Sequence, residues 1–282
     1  MNHFRSLHTT VTVHGPDRPA LRAEWARATT PAPARHTLHV RPPLPRAAHG
    51  AARTITTAQG PLPLIADGAH WALAGSTLAF QVDAHTSTLH LPDHPSAQET
   101  LAAHLAFTEA HRASGLLPLH AAILTRGAHT VALTGESGAG KSTAALRLLT
   151  SGWQLIAEDA AWLDPATRQT YGWDDGLRLH DTSLQRFAPH VNPAALPRDA
   201  HGKVILPVTT TAGPPLRTLM VLGAPAHLSA AERVQALWGA TGVPLTTAAR
   251  AAVTAALPGV LRHLQIRGAT REDVVHPDFP HH

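Results

Sequence analysis

The chain of 282 residues contains no cysteine. Disulfide staples, thiolate nucleophiles and cysteine-held zinc are therefore excluded, and the fold must rest on packing and hydrogen bonds. Charged residues are scarce as well, at 15%, against 44% apolar residues. A disordered chain shows the opposite balance, so this one has the apolar content to bury a core. Its length suits one large α/β domain or a core with smaller attachments. Lysine is rare and arginine is scattered singly. Although the net charge is +4, no run of five or six like charges offers a track for a nucleic-acid backbone. Long hydrophobic runs are missing too. The N-terminal MNHFRSLHTTVTVHG lacks the apolar stretch of a leader, and the weakly charged region 234 to 261 is interrupted by Gly239, Gly242, Pro244 and Pro258. These absences lead to the expectation of a soluble, cytoplasmic protein with neither nucleic acid nor membrane as partner.

Histidine, by contrast, is abundant, with 22 residues. Its spacing argues against a metal centre. His104 and His111 lie seven apart on an expected helix, and His90 and His94 flank a proline-containing loop. Neither pair has a compact ligand pattern such as H-E-x-x-H. Surface or core histidines are the expectation.

Residues 1–95 alternate short apolar runs ("HTTVTVHG", "HTLHVRPPL", "STLAFQVDAHTSTLHL") with Pro, Gly and Asp, the pattern of short strands and turns, and are read as a small β-rich domain. The stretch 28–50 carries five prolines and reads as a loop or edge segment. Ser96 to Glu99 is a capping-box pattern and opens a helix of about four turns that ends before Gly115. From residue 118 the order becomes strand, strand, glycine loop, helix, turn, strand. A second capping box, Ser229 to Glu232, opens a helical C-terminus expected to break at Pro258. Residues 96–282 are read as the second, nucleotide-binding domain.

Within it, Gly135-Glu136-Ser137-Gly138-Ala139-Gly140-Lys141-Ser142 matches the phosphate-loop pattern G-x-x-x-x-G-K-[ST]. By residue frequencies alone the pattern arises in roughly one such chain in a hundred. Its setting decides against chance: the apolar run "TVAL" precedes it and the helix former "STAALRLL" follows. Glycine lets successive backbone N–H groups converge on phosphate oxygens, and the following helix adds its N-terminal dipole. Lys141 is suited to the β- and γ-phosphates and the Ser142 hydroxyl to Mg²⁺. Gly135, Glu136, Ser137, Gly138, Ala139, Gly140, Lys141, Ser142 and Thr143 are accordingly the expected ATP-binding residues. Asp159 lies 18 positions beyond Lys141, enough for one helix, a turn and one strand. A carboxylate at the C-terminal end of a neighbouring parallel strand would lie beside the phosphates.

The run "HAAILTRGAHTVALTGESGAGKSTAALRLLTSGWQLIAED" resembles the catalytic domain of HPr kinase/phosphorylase and the wider group of HPr-kinase-like proteins. The likeness covers about 40 residues: a histidine, a strand, the glycine loop, a helix and paired acids. It implies an α/β fold with a P-loop core like the nucleotide-binding domain of phosphoenolpyruvate carboxykinase. It also implies His120 as active-site histidine, Lys141 as phosphate-binding lysine, Ser142 as magnesium ligand and Asp159 as proton acceptor for a substrate hydroxyl. Glu158 stands where the family has the first of two aspartates, and is expected to share the metal with Ser142. The family's second acidic motif is not recognisable: Asp174, Asp175 and Asp181 read as solvated loop residues and Lys203 as a surface lysine. The motif linked with phosphorolysis is not recognisable either.

The resulting expectation is an ATP- and Mg²⁺-dependent serine kinase acting on a protein or peptide, with a homo-oligomer implied by the resemblance alone. Two alternatives stay open: a small-molecule kinase with the same site, and a non-catalytic ATP-binding regulatory module.

Overall fold

The computed structural model describes residues 2–26, 33–57, 60–207, 212–270 and 272–275. The chain is mixed α/β and divides into two compact units, residues 1–116 with 243–256, and 117–242 with 257–282. The boundary expected at residue 95 thus falls inside the first unit. Among the described residues no helix is long and apolar enough to cross a membrane.

The first unit is built on one eight-stranded sheet. Its strands are β1 (Asn2–Ser6), β2 (Thr9–Val13), β3 (His36–Arg41), β4 (Arg53–Thr57), β5 (Gly60–Asp67), β6 (His70–Leu73), β7 (Ala79–Val82) and β8 (Thr86–His90), in the order β1-β2-β3-β8-β7-β6-β5-β4. Within the proline-rich stretch 28–50, of which 28–32 lie outside the described residues, β3 is no edge: it lies between β2 and β8, parallel to both. Of the described prolines in that stretch, Pro33, Pro42, Pro43 and Pro45 all lie outside the strand, so no ladder N–H is lost. This unit also holds helix α1 (Pro19–Trp25), between β2 and β3, and helix α2 (Ala97–Ala113), after β8. The Ser96–Glu99 capping box forms, and the helix runs 17 residues, nearly five turns. Trp25 and Phe107 stack with ring centroids 4.6 Å apart.

The segment 243–256 joins this unit through Glu109, whose side chain is fully buried. One carboxylate oxygen pairs with Arg112 at 2.6 Å. The other accepts from the backbone N–H of Leu245 and Thr246 and from the Thr246 hydroxyl, at 3.1, 2.8 and 2.7 Å. A buried charge is tolerable only when its lone pairs are met in this way.

The second unit holds a five-stranded sheet, β10 (Ala122–Arg126), β11 (His129–Thr134), β12 (Gln154–Ala157), β18 (Thr218–Leu222) and β19 (Gln265–Ala269), in the order β12-β10-β11-β18-β19. A four-stranded sheet of β9 (Leu117–Leu119), β13 (Ala161–Leu163), β14 (Thr170–Gly172) and β17 (Ala212–Gly213) and the ribbon β15 (Gly176–Leu179)–β16 (Val204–Pro207) complete its strands. The helices are α3 (Lys141–Thr150), α4 (Asp181–Phe187), α5 (Ala230–Thr241) and α6 (Thr247–His263), α6 being divided between the two units. The alternating apolar residues Leu124, Val131, Leu133, Leu155, Met220 and Leu222 form one core with Leu146 and Leu148 of α3. Pro258 does not end α6, which continues five residues beyond it. The missing N–H removes one hydrogen bond, and the 17-residue helix persists regardless.

Three of the many histidines are core residues of the first unit. His8, His36 and His111 are at most 2% exposed. His111 lies between the Ser6 and Thr9 hydroxyls, at 3.0 and 2.8 Å, and His36 meets the Ser87 hydroxyl at 2.6 Å. Burial pushes His36 down to about 4 and His111 well below its ordinary value. Both are neutral in the fold while an unfolded chain protonates them near 6.5, so their stabilising contribution is complete above pH 6.5 and is lost as pH falls below it, for His36 over the range down to about 4. For His36 the difference amounts to about 3 kcal/mol. Equilibrium urea unfolding between pH 7 and 4 is therefore expected to show stability falling with acidity, with a shallower slope in His36→Asn.

Candidate active site

The direction of β10 builds the site. It runs antiparallel to β11 on one side and to β12 on the other, so β11 and β12 point the same way and end at the same edge, where β10 begins. Register makes this concrete, since Ala122 pairs with Leu133 and Ile123 with Ala157. The expected neighbour relation is thereby corrected: β12 runs parallel to β11 but does not adjoin it, because β10 lies between them. This insertion is what sets His120, just before β10, between the glycine loop after β11 and the acids after β12.

The loop from Gly135 to Gly140 joins β11 to α3. Gly135 has φ +148°, and a Cβ there would lie 2.9 Å from the Leu222 carbonyl oxygen at the end of β18. Gly138 and Gly140 have φ +80° and +96°, left-handed conformations that favour glycine. Gly140 is the N-cap of α3 and offers no side chain, so no side chain caps the first N–H groups of the helix. Glu136, Ser137 and Gly138 are exposed, while Lys141, Ser142 and Thr143 form the partly buried first turn of α3. The Lys141 ammonium folds back over the loop and donates to the Gly135 carbonyl at 3.0 Å.

Across from the loop, His120 Nδ1 lies 3.2 Å from Asp159 Oδ2, both side chains about half exposed. The backbone of His120 is held on two sides: its N–H donates to the Ala240 carbonyl (2.8 Å), and its carbonyl accepts from the Thr134 hydroxyl (3.2 Å). Desolvation raises the Asp159 pKa above the usual 3.8, while attraction from His120 and Lys141 opposes the rise. Glu158 is mostly buried. One oxygen accepts from the Ser142 hydroxyl at 2.9 Å and the other from Arg178 at 3.1 Å, yet burial still raises its pKa.

Asp174 is the largest departure from the sequence reading. It is no solvated loop residue: its side chain is 9% exposed, and Oδ2 accepts the backbone N–H groups of Glu158, Asp159 and Ala160 at 2.9, 2.8 and 2.8 Å. Gly172 makes this approach feasible, because a Cβ there would collide with the Ile156 carbonyl of β12. Arg178, four residues on, lies between the Glu158 and Asp174 carboxylates at 3.1 and 3.8 Å. Neither residue belongs to a motif; only the spacing D-x-x-x-R into a strand was visible. Asp181 instead opens α4 and pairs with Arg198 at 3.0 Å, and Lys203 precedes β16.

A cavity of about 740 Å³ adjoins the loop, lined by His120, Gly135, Glu136, the end of β18, and Gln235, Ala236, Gly239 and Ala240 of α5. The small side chains of α5 leave this space, whose size is that of a small-ligand pocket.

Magnesium takes one or two protein carboxylates plus water and phosphate oxygens. The Ser142 hydroxyl and the Glu158 carboxylate, already in contact, match that donor set. Among the described residues no group of three or more His, Asp or Glu forms a cage that would hold a metal by itself.

Replacing Asp174 with Ala orphans three amides and is expected to destabilise the protein by about 2–4 kcal/mol, whereas Asp174→Asn, which keeps a carbonyl acceptor, loses less than half as much. Urea unfolding of the two variants measures this, and equal losses would remove the capping role.

Compared with models of known protein families and with curated proteins, the chain matches none.

Proposed function

We propose that this chain is an ATP- and Mg²⁺-dependent phosphotransferase that carries the terminal phosphate of ATP to a hydroxyl, with Asp159 as the base. The observation that supports this most is the meeting of Asp159, His120 and Lys141 with the glycine loop at one sheet edge.

Phosphoryl transfer needs positioning and charge neutralisation more than a strong base. His120 Nδ1 lies 3.2 Å from Asp159 Oδ2, which leaves Oδ1 to accept the proton of the acceptor hydroxyl as its oxygen bonds to phosphorus and ADP departs. Half exposure lets an acceptor reach that oxygen. Desolvation brings the carboxylate pKa closer to a working pH, which favours general-base catalysis. The Lys141 ammonium leaves the Gly135 carbonyl for phosphate oxygens, to which the uncapped α3 amides also donate. Ser142 and Glu158 are the residues that would hold magnesium, which neutralises phosphate charge when bound. Arg178 keeps the Glu158 carboxylate aimed at Ser142.

A serine of a protein or peptide is the acceptor we favour. The 740 Å³ cavity beside His120 supports a second reading, a small molecule carrying the hydroxyl.

Incubation with labelled ATP and candidate acceptors is expected to give transfer that Asp159→Asn lowers by about 10²–10⁴-fold. Because Asp159 must be ionised and its pKa is raised, the acid limb of kcat/KM is expected above pH 3.8. Equal transfer by Asp159→Asn would rule out the base. Lys141→Ala should lose ATP-dependent stabilisation, which is about 2.7 kcal/mol at a hundredfold excess over Kd.

A further inference from the structure

The parallel strands β11, β18 and β19 begin at the sheet edge opposite the glycine loop, with Val131 level with Thr218 and Thr218 with Gln265. There a second cavity, of about 410 Å³, is lined by His129, Thr130, Arg168, Arg217, His263 and Gln265, together with two residues of β11 and β18. No aspartate or glutamate lines it. Two arginines line it, and among the described residues neither Arg168 nor Arg217 has a carboxylate partner. Every polar side chain in the lining can donate a hydrogen bond.

The basic residues come from four separate chain segments that backbone bonds tie together. The Arg217 N–H donates to the Thr130 carbonyl at 3.3 Å, the Gln265 N–H to the Arg217 carbonyl at 2.9 Å, and the Leu216 N–H to the Arg168 carbonyl at 2.8 Å. The cavity is thus a preassembled site rather than a chance meeting of long side chains. Arg168 supplies a second, independent observation. Its φ is +61°, in the left-handed region, at the end of a turn closed by its N–H on the Asp164 carbonyl at 2.7 Å. Glycine or asparagine would hold that turn with less strain. A branchless but long cationic side chain kept in a strained conformation, facing a cavity, is the kind of outlier that marks a ligand site.

We propose that this cavity binds a small phosphorylated molecule through its phosphate group, at a site distinct from the glycine loop. Donors spread over four segments suit a tetrahedral oxyanion, which accepts from several directions, better than a planar carboxylate. The volume is that of a small-ligand pocket.

Calorimetric titration tests this in a Lys141→Ala background, which weakens phosphate binding at the loop. The probes are inorganic phosphate, glucose 6-phosphate and, as a planar oxyanion, acetate. Both phosphate compounds are expected to bind the background protein, the tighter of the two showing whether a free or an esterified phosphate is preferred. Adding Arg168→Gly and Arg217→Gln should weaken both at least tenfold. Arg168→Gly relieves the left-handed backbone, so on its own it should leave the thermal midpoint unchanged or higher while still weakening phosphate. That single variant decides the matter if the combined one unfolds. Undiminished phosphate affinity, no phosphate binding to the background protein, or acetate binding as tightly as phosphate would overturn the proposal.

Discussion

Three consecutive backbone amides, those of Glu158, Asp159 and Ala160, converge on one oxygen of Asp174. This contact holds the turn after β12, and the turn in turn aims both acids of the site. A carboxylate accepting several backbone N–H groups is strongly anchored, because each bond is charge-assisted. Glu158 is thereby directed at Ser142 and Arg178, and Asp159 at His120. Three carboxylates in so small a space repel one another. Arg178 offsets that repulsion from one side, and Lys141 and His120 offset it at Asp159.

Topology supplies the other half of the arrangement. Had β10 run parallel to β11, its first residue would lie at the far edge of the sheet and His120 would be a strand's length from the loop. Its antiparallel course brings a chain entry and two chain exits to one edge. Gly135 and Gly172 permit the close approaches that complete it, against Leu222 and Ile156 respectively.

The parts of this site that were legible in the sequence are local ones. The glycine loop announced itself because its conformation demands glycine at Gly138 and Gly140 within six residues of Lys141, itself one of only two lysines in the chain. Both capping boxes were legible for the same reason, since Ser96 with Glu99 and Ser229 with Glu232 act within one turn. Asp174 and Arg178 were not, because their partners lie 14 to 20 residues away, across strands whose pairing no short pattern specifies. Prolines misled twice. Around β3 they flank a central strand instead of marking an edge, and in α6 the helix carries Pro258 in its interior. Histidine number said little, since burial among Ser6, Thr9 and Ser87 depends on which strands meet α2.

The central claim is that Asp159 and His120 act as one unit on the acceptor hydroxyl beside the loop. A double-mutant cycle on the phosphate-transfer rate tests it most directly, with Asp159→Asn, His120→Asn and both together. If the pair works as a unit, the double variant transfers phosphate about as slowly as Asp159→Asn alone. Losses that simply multiply, or a wild-type chain that transfers no phosphate to any hydroxyl, would contradict it.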